Sequence, residues 1–169
     1  MIEKPKQGEY NPFYDTYISK VSESNVLTQL QSQAHELPGW FESLSEKADY
    51  RYDEGKWSIA EVLHHCLDAE RIFAYRALCI ARGEKQALPG MDQNEYMAGA
   101  LTHERTYASL IEELKAVRGA TLALAESMSP GVLTNEGNAS GSPVTVRALF
   151  GIIAGHTAHH VQIINERYL

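Results

Sequence analysis

Apolar residues recur at alternating intervals of three and four positions in four segments of the chain, the spacing that places side chains on one face of an α-helix. The predicted helices cover residues 26–44, 58–82, 92–128 and 143 to nearly the C-terminal end. No segment of any length shows the two-residue alternation of a strand, and no internal repeat is present. The pattern therefore predicts an all-α fold, an antiparallel four-helix bundle.

The second predicted helix has the clearest boundaries. Ser58 and Glu61 have the spacing of a capping box, in which each side chain bonds the backbone N–H of the other residue. Trp57 and Val62 stand where a hydrophobic staple would lie. Gly83 is expected to end this helix, because glycine tolerates the left-handed backbone that follows a helix terminus.

Helix-breaking residues set the remaining boundaries. Pro38 lies inside the first predicted helix, where we expect a kink or a break. The third helix is expected to begin at a second capping box that starts at Asp92, and to stop before Pro130. The polar stretch 134–141 is typical of a surface loop, and Pro143 is expected at the first position of the fourth helix.

Length and charge narrow the classes of function. The 169 residues suit one domain, residues 1–169, with an aromatic segment at 1–24 that is expected to pack on the bundle. Acidic residues outnumber basic ones by 22 to 15, so the formal net charge of −7 disfavours nucleic-acid binding. No apolar run is long enough to cross a bilayer, and no signal peptide is found. Cys66 and Cys79 lie too far apart on one predicted helix to form a disulfide. These features predict a cytoplasmic protein without a membrane partner.

The histidines carry the most information about chemistry. His156 and His160 are four residues apart, so they share one helix face, and they lie between Ile153 and Ile163 on the apolar stripe. Buried imidazoles cost free energy unless each nitrogen has a partner, and one divalent cation would satisfy both rings. His65, on the inward stripe of the second helix, is the best candidate for a third ligand. Three protein ligands with open positions are typical of a catalytic metal site.

A hydrogen-bonded pair of core histidines without a metal is the alternative explanation of this spacing. Thr157 follows His156, so the glutamate of the His-Glu-x-x-His zinc motif is absent. His103, on the stripe of the third helix, is interpreted as a hydrogen-bonded core histidine that could also face a metal. His64 and His159 are interpreted as groups at the rim of the site or on the surface.

Other polar residues near the candidate ligands have two interpretations each. Glu61 is expected to cap its helix, although it could orient a ligand imidazole, and for Asp68 surface pairing and imidazole orientation are equally favoured. Asp68 and His64 are the weak candidates for a catalytic acid or base. Cys66 is expected to be a buried free thiol, although a cysteine could bind a soft metal. His35 is predicted to be exposed.

Two segments resemble the signatures of a known family. Residues 57–71, WSIAEVLHHCLDAER, resemble the second-helix signature of DinB-like (YfiT-like) proteins, and residues 155–163, GHTAHHVQI, resemble their fourth-helix signature. The resemblance extends over nearly the whole chain. It implies a four-helix bundle with a three-histidine metal site, and the ligands of that site fall on His65, His156 and His160.

The resemblance also implies a class of function. Such proteins hold a divalent metal ion, for which Zn or Ni is expected here, with Fe or Mn as alternatives, and they are often homodimers. Some relatives are thiol-S-transferases that use low-molecular-weight thiols, and others are grouped as metal-dependent hydrolases. The chain is therefore interpreted as a metal-dependent transferase or hydrolase that acts on a small molecule, with such a thiol as one candidate.

Two further hypotheses stay open from the sequence. The first is a non-catalytic metal- or ligand-binding module of a stress response. It would be recognised by a fourth protein ligand such as His103 or Cys66, or by a sealed pocket. The second is a purely structural bundle in which the histidines are hydrogen-bonded and hold no metal.

Overall fold

The computed structural model describes residues 1–169. Its regular elements are α1 (Asp15–Ile18), α2 (Val26–Glu42), α3 (Ile59–Ala81), α4 (Gln93–Gly99), α5 (Tyr107–Glu126), β1 (Glu136–Ala139), β2 (Ser142–Thr145) and α6 (Val146–Arg167). The four long helices α2, α3, α5 and α6 form a bundle, which confirms the predicted fold class. Each of α2 and α3 packs against both α5 and α6, so α2 and α3 occupy opposite corners.

The direction of the helices follows from the residues that meet across them. His64 on α3 bonds Thr102, just before α5, and Glu70 further along α3 reaches Arg118 within α5, so α3 and α5 run the same way. In contrast, Gly137 of β1, just before α6, lies against Ile80 near the C-terminal end of α3. The α3–α6 pair is therefore antiparallel. A parallel α3–α5 pair requires the chain to travel back along the bundle between them, and residues 82–106 make this return.

This return corrects the third predicted helix, which is not continuous over 92–128. α4 ends at Gly99, Leu101 adopts a left-handed backbone with φ 49°, and a 3₁₀ turn covers Thr102–Glu104. α5 then begins anew behind Thr106, whose side chain accepts a hydrogen bond from the backbone N–H of Ser109. The apolar residues keep their spacing of three and four positions across this break. The helix is nevertheless interrupted, because the chain must reverse direction between α3 and α5.

The region before α6 also differs from the prediction. The sequence predicts a surface loop over 134–141, but β1 and β2 form an antiparallel hairpin with Ala139 paired to Ser142. Ser140 and Gly141 at its tip both have positive φ, 55° and 75°, which suits the twist of a two-residue hairpin turn. Pro143 lies in β2, and α6 begins at Val146 behind the capping side chain of Thr145.

The ends of the first two long helices follow the sequence more closely. Both hydrogen bonds of the predicted capping box form, from Glu61 N–H to Ser58 Oγ at 3.2 Å and from Ser58 N–H to the Glu61 carboxylate at 2.7 Å. Pro38 does not break α2, which continues to Glu42. Leu37 and Phe41 are buried around the proline. Their packing offsets the roughly 3 kcal/mol that an internal proline costs.

The interior of the bundle consists of two apolar clusters with polar side chains at the level between them. One cluster includes Phe73 and Ile153, and the other includes Leu63 and Ile164. The polar layer, defined as His65, Glu70, Arg118, His156 and Thr157, is buried throughout. None of the helices combines the length and the apolar character needed to span a membrane.

Candidate metal centre

The structure brings the three predicted ligands together, His65 and His156 in the polar layer and the half-buried His160 beside it. His65 extends from the second turn of α3, and His156 and His160 extend from consecutive turns of α6. Nε2 of His156 lies 3.0 Å from Nε2 of His65 and 3.2 Å from Nε2 of His160. One ring nitrogen from each histidine lies within 4.8 Å of both others.

Hydrogen bonding alone does not account for this geometry. A ring nitrogen carries either one hydrogen or one in-plane lone pair, so Nε2 of His156 can form a well-aligned hydrogen bond with only one of its two neighbours at a time. Two imidazole nitrogens that bind one Zn²⁺ at about 2.0–2.1 Å with tetrahedral angles lie about 3.3 Å apart. The observed separations are close to that value. The donor set therefore fits a first-row divalent cation.

Burial keeps the three rings neutral, which is the form that binds metals. Loss of hydration lowers the pKa of His65 to about 4. Burial, together with the neighbouring His65 and His159, lowers the pKa of His160 to about 3. The pKa of His156 is held well below its usual value by burial and by the other histidines. At neutral pH the lone pairs of all three rings are free of protons.

Aromatic side chains surround the rings and fix their orientation. Trp57 lies against His65 with ring centroids 4.9 Å apart, and Tyr17 meets His156 edge-on at 5.0 Å. Phe73 contacts the same histidine from α3 at 6.2 Å. The N-terminal aromatic segment therefore contributes directly to the wall of the candidate centre.

Gly155 explains how Tyr17 comes so close to His156. A Cβ atom built on Gly155 would lie 2.0 Å from the carbonyl oxygen of Tyr17, which is far inside van der Waals contact. Only glycine therefore allows the backbone of α1 to rest on α6 one residue before a candidate ligand.

Two clefts together reach the three histidines. The first has a volume of about 210 Å³ and contains His65 and His156. Its other lining residues are Phe13, Tyr14, Tyr17, Ala69, Phe73, Arg76, Met91, Gln93 and Ser140. The second, of about 280 Å³, contains His160 together with Lys56, Trp57 and Gln93. A small molecule could thus approach the three rings, and neither cleft is lined by an acidic side chain.

The sequence profile described as the DinB superfamily matches residues 29–164. The chain belongs to the DinB superfamily. Among solved structures it is similar to YfiT from Bacillus subtilis, described as a probable metal-dependent hydrolase with an unusual four-helix bundle topology. The two are 18% identical, with a TM-score of 0.73 over 95% of this chain and 92% of that chain, so the likeness is one of fold. No curated protein sequence gives a significant match.

In this DinB-superfamily bundle, the two weak catalytic candidates lie away from the three rings. His64 is buried and its Nδ1 lies 2.9 Å from Thr102 Oγ1, so it is neither at the surface nor paired with a candidate ligand. Asp68 lies 4.0 Å from Arg71, and burial raises the pKa of its carboxyl. Neither side chain lines the two clefts.

The DinB-superfamily structure also shows the environments of the remaining histidines and of Cys66. His103 is exposed in the 3₁₀ turn, which corrects its interpretation as a core residue and removes it as a fourth ligand. His35 is exposed, as predicted, and His159 is half-buried beside Tyr17. Cys66 is a buried free thiol, and burial raises its pKa to about 12. Its ligand atom is not part of the histidine group.

A buried ion pair next to the histidines was missed from the sequence. Arg118 on α5 donates two hydrogen bonds of 2.8 Å to the Glu70 carboxylate on α3. It also donates to Gln33 Oε1 at 2.7 Å and to Thr157 Oγ1 at 3.2 Å. Thr157 adjoins His156, so this network ties all four long helices of the DinB-superfamily bundle at the level of the rings.

A sequence signal for this pair did exist. Glu70 continues the apolar stripe of α3, three residues before Phe73, and Arg118 continues that of α5, four residues after Leu114. A carboxylate and a guanidinium on the inward faces of two helices indicate a buried ion pair, since a lone buried charge is costly.

Proposed function

We propose that the chain is a metal-dependent enzyme in which His65, His156 and His160 hold one divalent cation and a small molecule reacts in the adjoining cleft. The observation that carries this proposal is the position of His156 Nε2, which lies 3.0 and 3.2 Å from two other ring nitrogens. The donor set favours Zn or Ni, with Fe or Mn as alternatives, since imidazole suits several of these ions.

The number of ligands supports an enzyme over a closed binding module. The group of potential ligand atoms contains three histidines and no fourth side chain. Structural zinc sites fill their coordination shell with protein ligands, whereas catalytic sites keep a position open. The two clefts that reach the rings provide the access that a sealed storage site would lack.

The residues around the rings have separate tasks in this proposal. When bound, the ion would supply Lewis-acid chemistry, which lowers the pKa of water or of a thiol at neutral pH. Burial keeps the three imidazoles unprotonated, so they need no base to release protons before binding. Tyr17 and Phe73 cover His156 with aromatic surface and line the first cleft.

Hydrolysis is the proposed reaction, because the similar fold of YfiT is described as that of a probable metal-dependent hydrolase. The family resemblance of the sequence adds transfer to a low-molecular-weight thiol as the finer candidate. The two differ in the nucleophile, so an assay with and without added thiol separates them. Metal-loaded protein is given a chromogenic ester alone, and then an alkyl halide with and without cysteine. Turnover that requires cysteine would replace hydrolysis with thiol transfer.

Metal content provides the test of the site itself. Wild-type protein is expected to retain about one equivalent of Zn or Ni by elemental analysis, and His65→Ala, His156→Ala and His160→Ala each to lose most of it. His103→Ala is the matched control, since His103 is exposed and outside the histidine group. Circular dichroism of each variant checks that it is folded. Equal metal content in all five proteins would refute the proposal.

A further inference from the structure

Two arginines are buried in this protein, and only one has a counter-ion. Arg118 is 1% exposed and Arg76 is 3% exposed. Arg118 is paired with Glu70, whereas no carboxylate lies within 4.0 Å of the Arg76 guanidinium. A buried charge without a partner is costly, so proteins seldom keep one that has no function.

The hydrogen bonds of Arg76 leave two of its nitrogens free. Nη2 donates to the Pro89 carbonyl oxygen at 2.7 Å and to Ser140 Oγ at 3.2 Å, while Nε and Nη1 make no hydrogen bond of good geometry. The Tyr14 side chain also interacts with the guanidinium, but it is not a carboxylate and does not replace a counter-ion. Every fully buried side-chain nitrogen or oxygen of the protein has a partner. The two free nitrogens therefore keep some accessible surface, and the cleft that Arg76 lines provides it. The guanidinium carbon lies 5.5 Å from the centre of the Phe73 ring, which holds the group from one side.

The charge around this cleft favours an anion. The chain carries a net charge of −7, yet no acidic residue lines the first cleft, and Arg76 is its one arginine or lysine. An anionic group that entered the cleft would meet a preorganised cation and no competing carboxylate.

The shape of the cleft sets the length of its ligand. His65 and Arg76 both line it, and they are eleven residues apart on α3. At 1.5 Å per residue, their Cα atoms are about 16 Å apart along the helix axis. The Arg76 side chain leans back toward the start of α3, but several bonds must still separate a group at Arg76 from a group at the histidines. The volume of about 210 Å³ is below the usual range of small-molecule sites, so the ligand is small.

We propose that the first cleft binds an elongated small molecule whose anionic end, a carboxylate or a phosphate, pairs with Arg76, while its other end reaches His65 and His156. Arg76 is thus the specificity-determining residue of the cleft. The reacting end of this ligand rests on the proposed metal-dependent function, whereas the anion site at Arg76 does not.

The test compares matched probes on the full-length protein, as purified and again after metal removal. Hexanoate, hexyl phosphate and the neutral hexanamide are titrated by calorimetry at constant ionic strength. Hexanoate or hexyl phosphate is expected to bind at least about tenfold more tightly than hexanamide in both forms, because charge-assisted hydrogen bonds require the anion. Whichever anion binds more tightly identifies the anionic end.

Variants locate the binding site. Arg76→Met is expected to abolish the preference for the anions over hexanamide, and Arg76→Lys to keep part of it. Arg82→Met is the control, because Arg82 is an exposed arginine that follows the same helix. An anion preference that Arg76→Met leaves unchanged, or no preference in wild-type protein, overturns the proposal. The wild-type comparison needs no variant, so it decides even if Arg76→Met does not fold.

Metal content separates this proposal from the metal-dependent function. Arg76→Met is expected to retain as much metal as wild-type protein. Anion binding that persists in a protein that never binds metal would refute the metal site and leave the Arg76 site standing. Metal binding without anion preference would do the reverse.

Discussion

Replacement of Arg118 by methionine is expected to destabilise the bundle strongly. The substitution keeps most of the volume of the side chain but removes the only cation beside Glu70, which is 3% exposed. It also removes the hydrogen bonds to Gln33 and Thr157. The Glu70 carboxylate would then be buried without a counter-ion.

The magnitude follows from this orphaned charge. Breaking a buried ion pair by removing one partner costs about 3–5 kcal/mol, and we expect the free energy of unfolding to fall by that amount. A second variant, Glu70→Leu with Arg118→Met, removes both charges and fills the space with apolar groups. It is expected to recover most of the loss, because a buried ion pair and a packed apolar pair are often similar in stability.

Urea unfolding of metal-free protein, followed by the fluorescence of Trp57 and Trp40 and by circular dichroism, measures both effects. Lys115→Met is the control on the same helix, since its ion pair with Glu112 is exposed and should contribute little. A loss below about 1 kcal/mol for Arg118→Met would refute the reasoning about the buried pair. A double variant no more stable than the single one would show that the orphaned Glu70 charge is not the cause.

Three smaller effects can be measured alongside. Gly155→Ala should displace α1 and cost about 1–3 kcal/mol in urea unfolding, while Gly119→Ala, with no atom near its Cβ, should be neutral or stabilising; equal effects would contradict the close contact. Native protein should react with a thiol reagent at the half-buried Cys79 and not at Cys66, and two reactive thiols before unfolding would count against this. In metal-free protein the folded pKa of His65 is about 4 against 6.5 unfolded, so the unfolded chain binds more protons between these values. Stability is therefore retained above pH 6.5 and should fall toward pH 4 by roughly 1.4 kcal/mol per pH unit for each such histidine; a flat urea midpoint would contradict it.

The sequence correctly predicted the helix boundaries that depend on interactions between residues close in the chain. The capping box at Ser58 and Glu61 defines the start of α3 in the prediction and in the structure, because its hydrogen bonds join residues three apart. The break at Leu101 could not be predicted in this way. It arises because α3 and α5 lie parallel, which is a property of the whole bundle, and the apolar spacing continues through the break. The hairpin was missed for a different reason. Its strands are only four residues each, and Ser140 is an uncommon residue at positive φ.

The candidate site was partly visible in the sequence. Spacing places His156 and His160 on one face of a helix, and both the inward stripe of the second helix and the family resemblance point to His65 as their partner. The cleft could not be predicted, because it joins residues distant in the chain: Tyr17, Arg76 and Ser140 meet only through the fold. His103 shows a different error: its spacing placed it on the inward face of a continuous helix, but the break between α4 and α5 leaves it exposed in a 3₁₀ turn.

The polar layer across the middle of the bundle has a consequence for how metal binding would change the stability of the protein. Apolar side chains hold the two ends of the bundle together, but at mid-height the helices are joined through imidazoles and one ion pair. An ion bound by histidines of α3 and α6, as proposed, would link these helices at the middle of the bundle, where apolar contacts are few. Such a ligand at a hundred times its dissociation constant adds about 2.7 kcal/mol. The temperature of thermal unfolding would then report whether the protein holds its metal ion.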